Sequence, residues 1–107
     1  MTIATFYSEG PRLIGFAVQG HSGFAPEGED LVCAAITSSL RLVETTINDV
    51  LGLGAAVKVL EDTISLKLPG SLGSTNESTC QSLLAGFLLH LVQLSEEYPE
   101  NITVMEV

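Results

Sequence analysis

The spacing of apolar residues in this chain switches twice from a period of two to a period of three to four. That switching constrains the fold more than any bulk property. Thr2 to Tyr7 is short and β-prone, and Ser8-Glu9-Gly10-Pro11 is a turn cluster. In Leu13 to Gln19, Ile14, Phe16 and Val18 alternate with Leu13, Gly15, Ala17 and Gln19, the pattern of a strand. The two runs predict an antiparallel hairpin. From Asp30 the period lengthens. Ile36, Leu40, Val43, Ile47 and Val50 then recur at spacings of four and three, one face of an α-helix. Asp30 is suited to cap that helix, which would place Cys33 at the third helical position. Leu51-Gly52-Leu53-Gly54 predicts its end.

The same sequence of patterns then repeats. Val57 and Val59, then Ile64, Leu66 and Leu68, predict a second hairpin turning at Glu61-Asp62. Ser74 and Glu77 have the spacing of a capping box. Cys80, Leu83, Leu84, Phe87, Leu88, Leu91 and Leu94 give a second helix that ends before Pro99, and Ile102 to Val107 alternates again. The expected order is β-β-α-β-β-α-β in a single domain, residues 1–107. This is an α+β fold with a small mixed or antiparallel sheet and two helices packed on it. The two halves share a pattern without a sequence repeat, and pattern alone does not set the strand order.

Bulk properties exclude several functions. The 13 Asp and Glu against 4 Lys and Arg give a net charge of -9, so no basic patch exists to neutralise phosphates and no nucleic-acid partner is expected. A basic partner would be attracted, less so in salt. No run approaches about 20 uninterrupted apolar residues, so no membrane span is expected. The first residues lack the basic and apolar regions of a signal peptide, and a cytoplasmic protein with free thiols is expected. His21, Cys33, Cys80 and His90 do not show zinc-ligand spacing, and no metal or other cofactor is called for.

One stretch remains that scaffolding does not explain. Gly20 to Glu29 contains three glycines and a proline, and is longer than an ordinary connector. It carries His21 and leads to Cys33, whose expected place in a first helical turn favours a thiolate. The first N–H groups of that helix are candidate oxyanion donors. An imidazole folded back to the sulfur would serve as acid–base partner. The residues alone leave a second reading open, a buried structural cysteine with a loop histidine. Cys80, on the apolar stripe, reads as core, and His90 as a helix-flank or interface residue. Gly86 suggests close packing or a self-pairing face.

The run Gly20-His21-Ser22-Gly23 … Gly28-Glu29-Asp30-Leu31-Val32-Cys33-Ala34-Ala35 resembles the signature of the ribosomal-processing cysteine protease family, Prp. The resemblance extends to chain size, element order, acidity and the closing segment Glu96, Glu97, Tyr98, Asn101 and Ile102. It implies a homodimeric Cys–His endopeptidase that removes the short N-terminal extension of a large-subunit ribosomal protein, the twenty-seventh. It makes Cys33 the nucleophile and His21 the base and proton donor. Thr37 stands where the family has a serine, and Asp30 matches the family's aspartate, so both are candidate supporting residues. Gly20, Gly23, Phe24 and Gly28 belong to a candidate substrate loop that acts as a lid. Two rival readings use the same residues. One is a non-catalytic acidic module binding a basic ribosomal protein; the other is a thiol redox sensor pairing Cys33 with Cys80.

Overall fold

The computed structural model describes residues 1–20 and 27–107, with side chains in the first helix described from Leu31 onward. Strands β1 (Thr2–Glu9) and β2 (Arg12–Gln19) form the first hairpin, turning at Gly10-Pro11. Helix α1 (Glu27–Thr45) runs into one π-helical turn, Thr46–Val50. Strands β3 (Ala56–Val59) and β4 (Thr63–Lys67) form the second hairpin. Helix α2 (Ser74–Glu97) and strand β5 (Ile102–Glu106) follow. The sheet order is β3-β4-β2-β1-β5, with β5 parallel to β1 and every other pair antiparallel. The α+β class and the β-β-α-β-β-α-β order are as the spacing predicts.

Ala4 and Phe6 of β1, Phe16 and Val18 of β2, and Leu66 of β4 meet Ile36, Leu40 and Val43 of α1 and Leu84, Phe87 and Leu91 of α2 in a single core. At its centre Phe16 and Phe87 lie 4.9 Å apart and Phe6 and Phe87 5.6 Å, both edge to face. This is the favoured geometry for aromatic quadrupoles.

A β-bulge alters the expected face of one residue. Tyr7 pairs with Gly15 but Ser8 pairs with Leu13, so Ile14 is left over. The extra residue breaks the alternation. Leu13 packs against the core, while Ile14 lines the opposite, uncovered face together with Tyr7, Gly15, Ala17 and Ser65. Gly15 fits there because a Cβ would stand 2.2 Å from the Leu66 carbonyl oxygen. At the bulge the Leu13 backbone is taken up by α2. Its N–H donates to Gln81 Oε1, and Gln81 Nε2 donates to its carbonyl, both at 2.8 Å.

The π turn corrects another expectation. Leu51 N–H donates to Thr46 O, five residues back, at 2.9 Å. One extra residue per turn rotates the following side chains off the stripe. Ile47 stays fully buried but Val50 is 73% exposed. Asn48 then grips Ala55 as Gln81 grips Leu13: the Ala55 N–H donates to Oδ1 at 2.7 Å and Nδ2 donates to its carbonyl at 3.1 Å.

The capping box at Ser74 does not form. Ser74 is the first helical residue, Gly73 occupies the cap position, and the Glu77 N–H donates to the Gly73 carbonyl at 2.8 Å. The Glu77 carboxylate meets a full charge instead, accepting from Arg12 Nε at 2.7 and 3.0 Å. Charge-assisted pairing is stronger than a bond to one neutral amide. Arg12 Nη2 also donates to Pro69 O, and its guanidinium is held more firmly protonated by Glu77.

Candidate active site

Cys33 is the seventh residue of α1, not the third, because the helix begins at Glu27. Asp30 is therefore a fourth helical residue and does not cap the helix. Gly28 is already helical, so the helix starts inside the stretch whose glycines suggest a loop. Glu27, Glu29 and Asp30 fall in the first turn, where acidic residues suit the positive end of the dipole. That explains a start the spacing misses. It also removes one expected route to reactivity: dipole effects fade beyond the first turn, and the free first-turn N–H groups precede the sulfur by a turn.

Packing, instead, sets the position of the sulfur. Val32 and Ile36 are each 2% exposed, anchoring the helix on either side of Cys33, which is half-buried. Thr37 lies one turn further along the same helix face and is also half-buried. The Cys33 Sγ stands 4.0 Å from the hydroxyl of Thr2, the first residue of β1. Thr2 is fixed by its N–H, which donates to Asn101 O at 2.8 Å beside β5.

Gly20, which follows β2, reaches the same place from the other side. Its φ is 87°, and a Cβ would lie 2.5 Å from the Met1 carbonyl oxygen. Only glycine tolerates both the left-handed backbone and that approach. Its N–H donates to Asp62 O at 3.0 Å, tying it to the β3–β4 turn. Met1-Thr2 thus has Gly20 against it and the Cys33 sulfur beside its threonine. His21, Gly23 and Phe24 lie outside the described residues. Thr2 is the neighbour of Cys33 that the spacing missed, because a threonine opening a β-prone run carries no signal of its own.

The second cysteine is sealed. Cys80 is fully buried in the core, and burial, with Glu77 adding and Arg12 opposing, pushes its thiol up. This opposes the thiolate that a resolving cysteine needs. His90 is exposed and borders a groove between the helices with Ser39, Leu42, Leu83 and Gly86. A Cβ on Gly86 would meet nothing within 4 Å, so close packing within the chain does not explain that glycine. Among the described residues, no three His, Cys, Asp or Glu are grouped to hold a metal ion.

The fold and its thiols define a small α+β protein with one half-buried cysteine on its first helix and one sealed in its core. A family model described as cysteine protease Prp matches residues 1–103, and the chain belongs to that family of cysteine proteases. The ribosomal processing cysteine protease Prp of Bacillus subtilis is 27% identical over 94 residues, covering 86% of this chain and 84% of the relative. A Streptococcus mutans crystal structure superposes with a TM-score of 0.89 at 24% identity, covering 100% of this chain and 94% of the other. The Staphylococcus aureus ribosomal processing protease Prp, solved with a substrate peptide, gives 0.86 at 19% identity with both chains fully covered. At those identities the two structures establish a shared fold.

Proposed function

We propose that this cysteine protease removes the N-terminal extension of the twenty-seventh large-subunit ribosomal protein, with Cys33 as nucleophile and His21 as its acid–base partner. The observation that carries the reading is the meeting of two segments at Met1-Thr2. Cys33 lies beside Thr2, and Gly20, the residue before His21, lies against Met1. The Bacillus subtilis and Staphylococcus aureus relatives, each named for ribosomal processing, support the substrate class. A basic ribosomal protein also suits a surface of net charge -9.

In this mechanism the Cys33 thiolate attacks the scissile carbonyl. His21 protonates the leaving amine as the C–N bond breaks, and water then releases the acyl-enzyme. Thr37 and Asp30 support the pair, and Gly20, Gly23, Phe24 and Gly28 contact the substrate. The protein acts in the cytoplasm as a homodimer. No described helix is long and apolar enough to cross a membrane, and the groove around Gly86, lined by no Asp, Glu, Lys or Arg, offers a face for self-pairing.

Intact-mass analysis of the extended ribosomal protein tests the reading. Wild type is expected to shorten it, and Cys33→Ala and His21→Ala are expected to leave it whole. Cleavage by either variant at the normal rate removes that residue from its role. The redox-sensor alternative is disfavoured by the burial of Cys80; it predicts an internal disulfide after peroxide, visible as a loss of two mass units.

A further inference from the structure

We propose that Thr2 is a positioning residue for the reaction, its hydroxyl donating a hydrogen bond to the Cys33 thiolate. The proposal rests on Cys33 being the nucleophile. Thr2 is the only polar side chain buried among the described residues, at 4% exposure. A hydroxyl taken out of water needs a partner, and the contact it makes is the Cys33 sulfur at 4.0 Å. While the sulfur carries its proton, either group can donate. Once that proton has gone, only the hydroxyl can.

The hydroxyl is also held still. The Thr2 N–H is bonded to Asn101 O, and the residue pairs with Ile102 in the parallel ladder. Its β-branched side chain has few rotamers. A fixed donor beside the sulfur does two things. It favours the thiolate over the thiol, and it restrains the sulfur in one orientation as the scissile carbonyl approaches. The added thiolate is slightly less nucleophilic, because nucleophilicity falls with thiol pKa, by about threefold for each tenfold gain in thiolate.

These opposed effects give a signature that a purely structural role lacks. Alkylation of Cys33 by iodoacetamide, followed across pH by intact mass and peptide mapping, reads it without any substrate. Thr2→Val keeps the shape and removes the donor. Its alkylation midpoint is expected to move up by roughly half to one pH unit, a three- to tenfold loss of thiolate. It should react more slowly than wild type below the midpoint, and as fast or faster on the high-pH plateau. Thr2→Ser should restore the wild-type midpoint. In cleavage assays the acid limb of kcat/KM should move in parallel with KM little changed. Thermal melts report folding, and Thr2→Ala is read in the same way should valine disturb the strand. Coincident midpoints for wild type and Thr2→Val, or a serine variant that follows valine, overturn the proposal. Cleavage by Cys33→Ala instead overturns the nucleophile assignment, a result the alkylation profile does not mimic.

Discussion

Replacing Gln81 by methionine isolates how the second helix holds the sheet. Methionine matches the length of glutamine but offers neither the donor nor the acceptor that bond Leu13 at 2.8 Å on both sides. The bulge leaves the Leu13 N–H and C=O facing α2 rather than another strand, so no backbone group replaces the lost amide. An unsatisfied buried group costs about 1–3 kcal/mol. Leu13 is half-buried, so water softens each loss toward the lower limit, and the pair should cost about 2 kcal/mol. For 107 residues the unfolding entropy makes that a fall in Tm of about 9 °C. Urea unfolding followed by circular dichroism should show a lower midpoint at unchanged slope. Gln81→Glu adds a pH test. At pH 7 the introduced carboxylate faces the Leu13 carbonyl and repels it; once protonated it again offers a donor and an acceptor. Its folded pKa is thus raised above its unfolded value, so its stabilising contribution is present at low pH and lost as pH rises through the folded pKa. The deficit relative to wild type should shrink on acidification from pH 7 to about 4.5, near the ordinary carboxyl range. A Gln81→Met cost below about 0.5 kcal/mol, or a pH-independent Gln81→Glu deficit, would refute the bidentate reading.

Gly15→Ala puts a methyl group 2.2 Å from the Leu66 carbonyl oxygen, and the strand must shift to admit it. The expected loss is about 2–3 kcal/mol in the same urea assay. Glu77→Gln breaks the Arg12 ion pair at 2.7 Å, but both side chains are partly solvated, at 25% and 30% exposure. It should cost no more than about 1 kcal/mol, and the difference should narrow in 1 M salt, about 3 Å of screening length. Titration of native protein with a disulfide reagent should find one fast thiol, absent in Cys33→Ala, and a second only on unfolding, because Cys80 is fully buried. Two fast thiols in the native state would contradict the packing of α2.

The parts of the fold legible in the sequence are those that repeat a period. Phe16 and Val18, and Leu84, Phe87 and Leu91, are buried as their spacing predicts because each obeys one rhythm across its element. The misread positions are those where a tertiary contact interrupts the rhythm. Ile14 is displaced by a bulge that exists only in the pairing with β1, and Val50 by a π turn. Ser74 fails as a cap because the helix starts at it with Gly73 in the cap position, and Glu77 pairs instead with Arg12, 65 residues away. Cys33 and the Gly20-His21 pair stand out in the sequence only through their resemblance to a family signature, and His21 lies outside the described residues. Thr2 does not stand out, since its nearness to the sulfur depends on the β1–β5 ladder and on where α1 packs. The strand order was likewise illegible, because local spacing does not say which edges meet.

The parallel ladder between β1 and β5 has a consequence for how the surroundings of the thiol assemble. Thr2, beside the sulfur, is pinned by Asn101, and Ser8 and Phe6 are bonded to Val107. The first strand of the chain therefore waits for the last one. A nascent chain still lacking residues 101–107 has Cys33 but no anchored Thr2 next to it. The thiol and its surroundings come together only once synthesis has passed Ile102–Glu106. The surroundings of the thiol are thereby completed by the last described strand rather than by the segment that carries the cysteine.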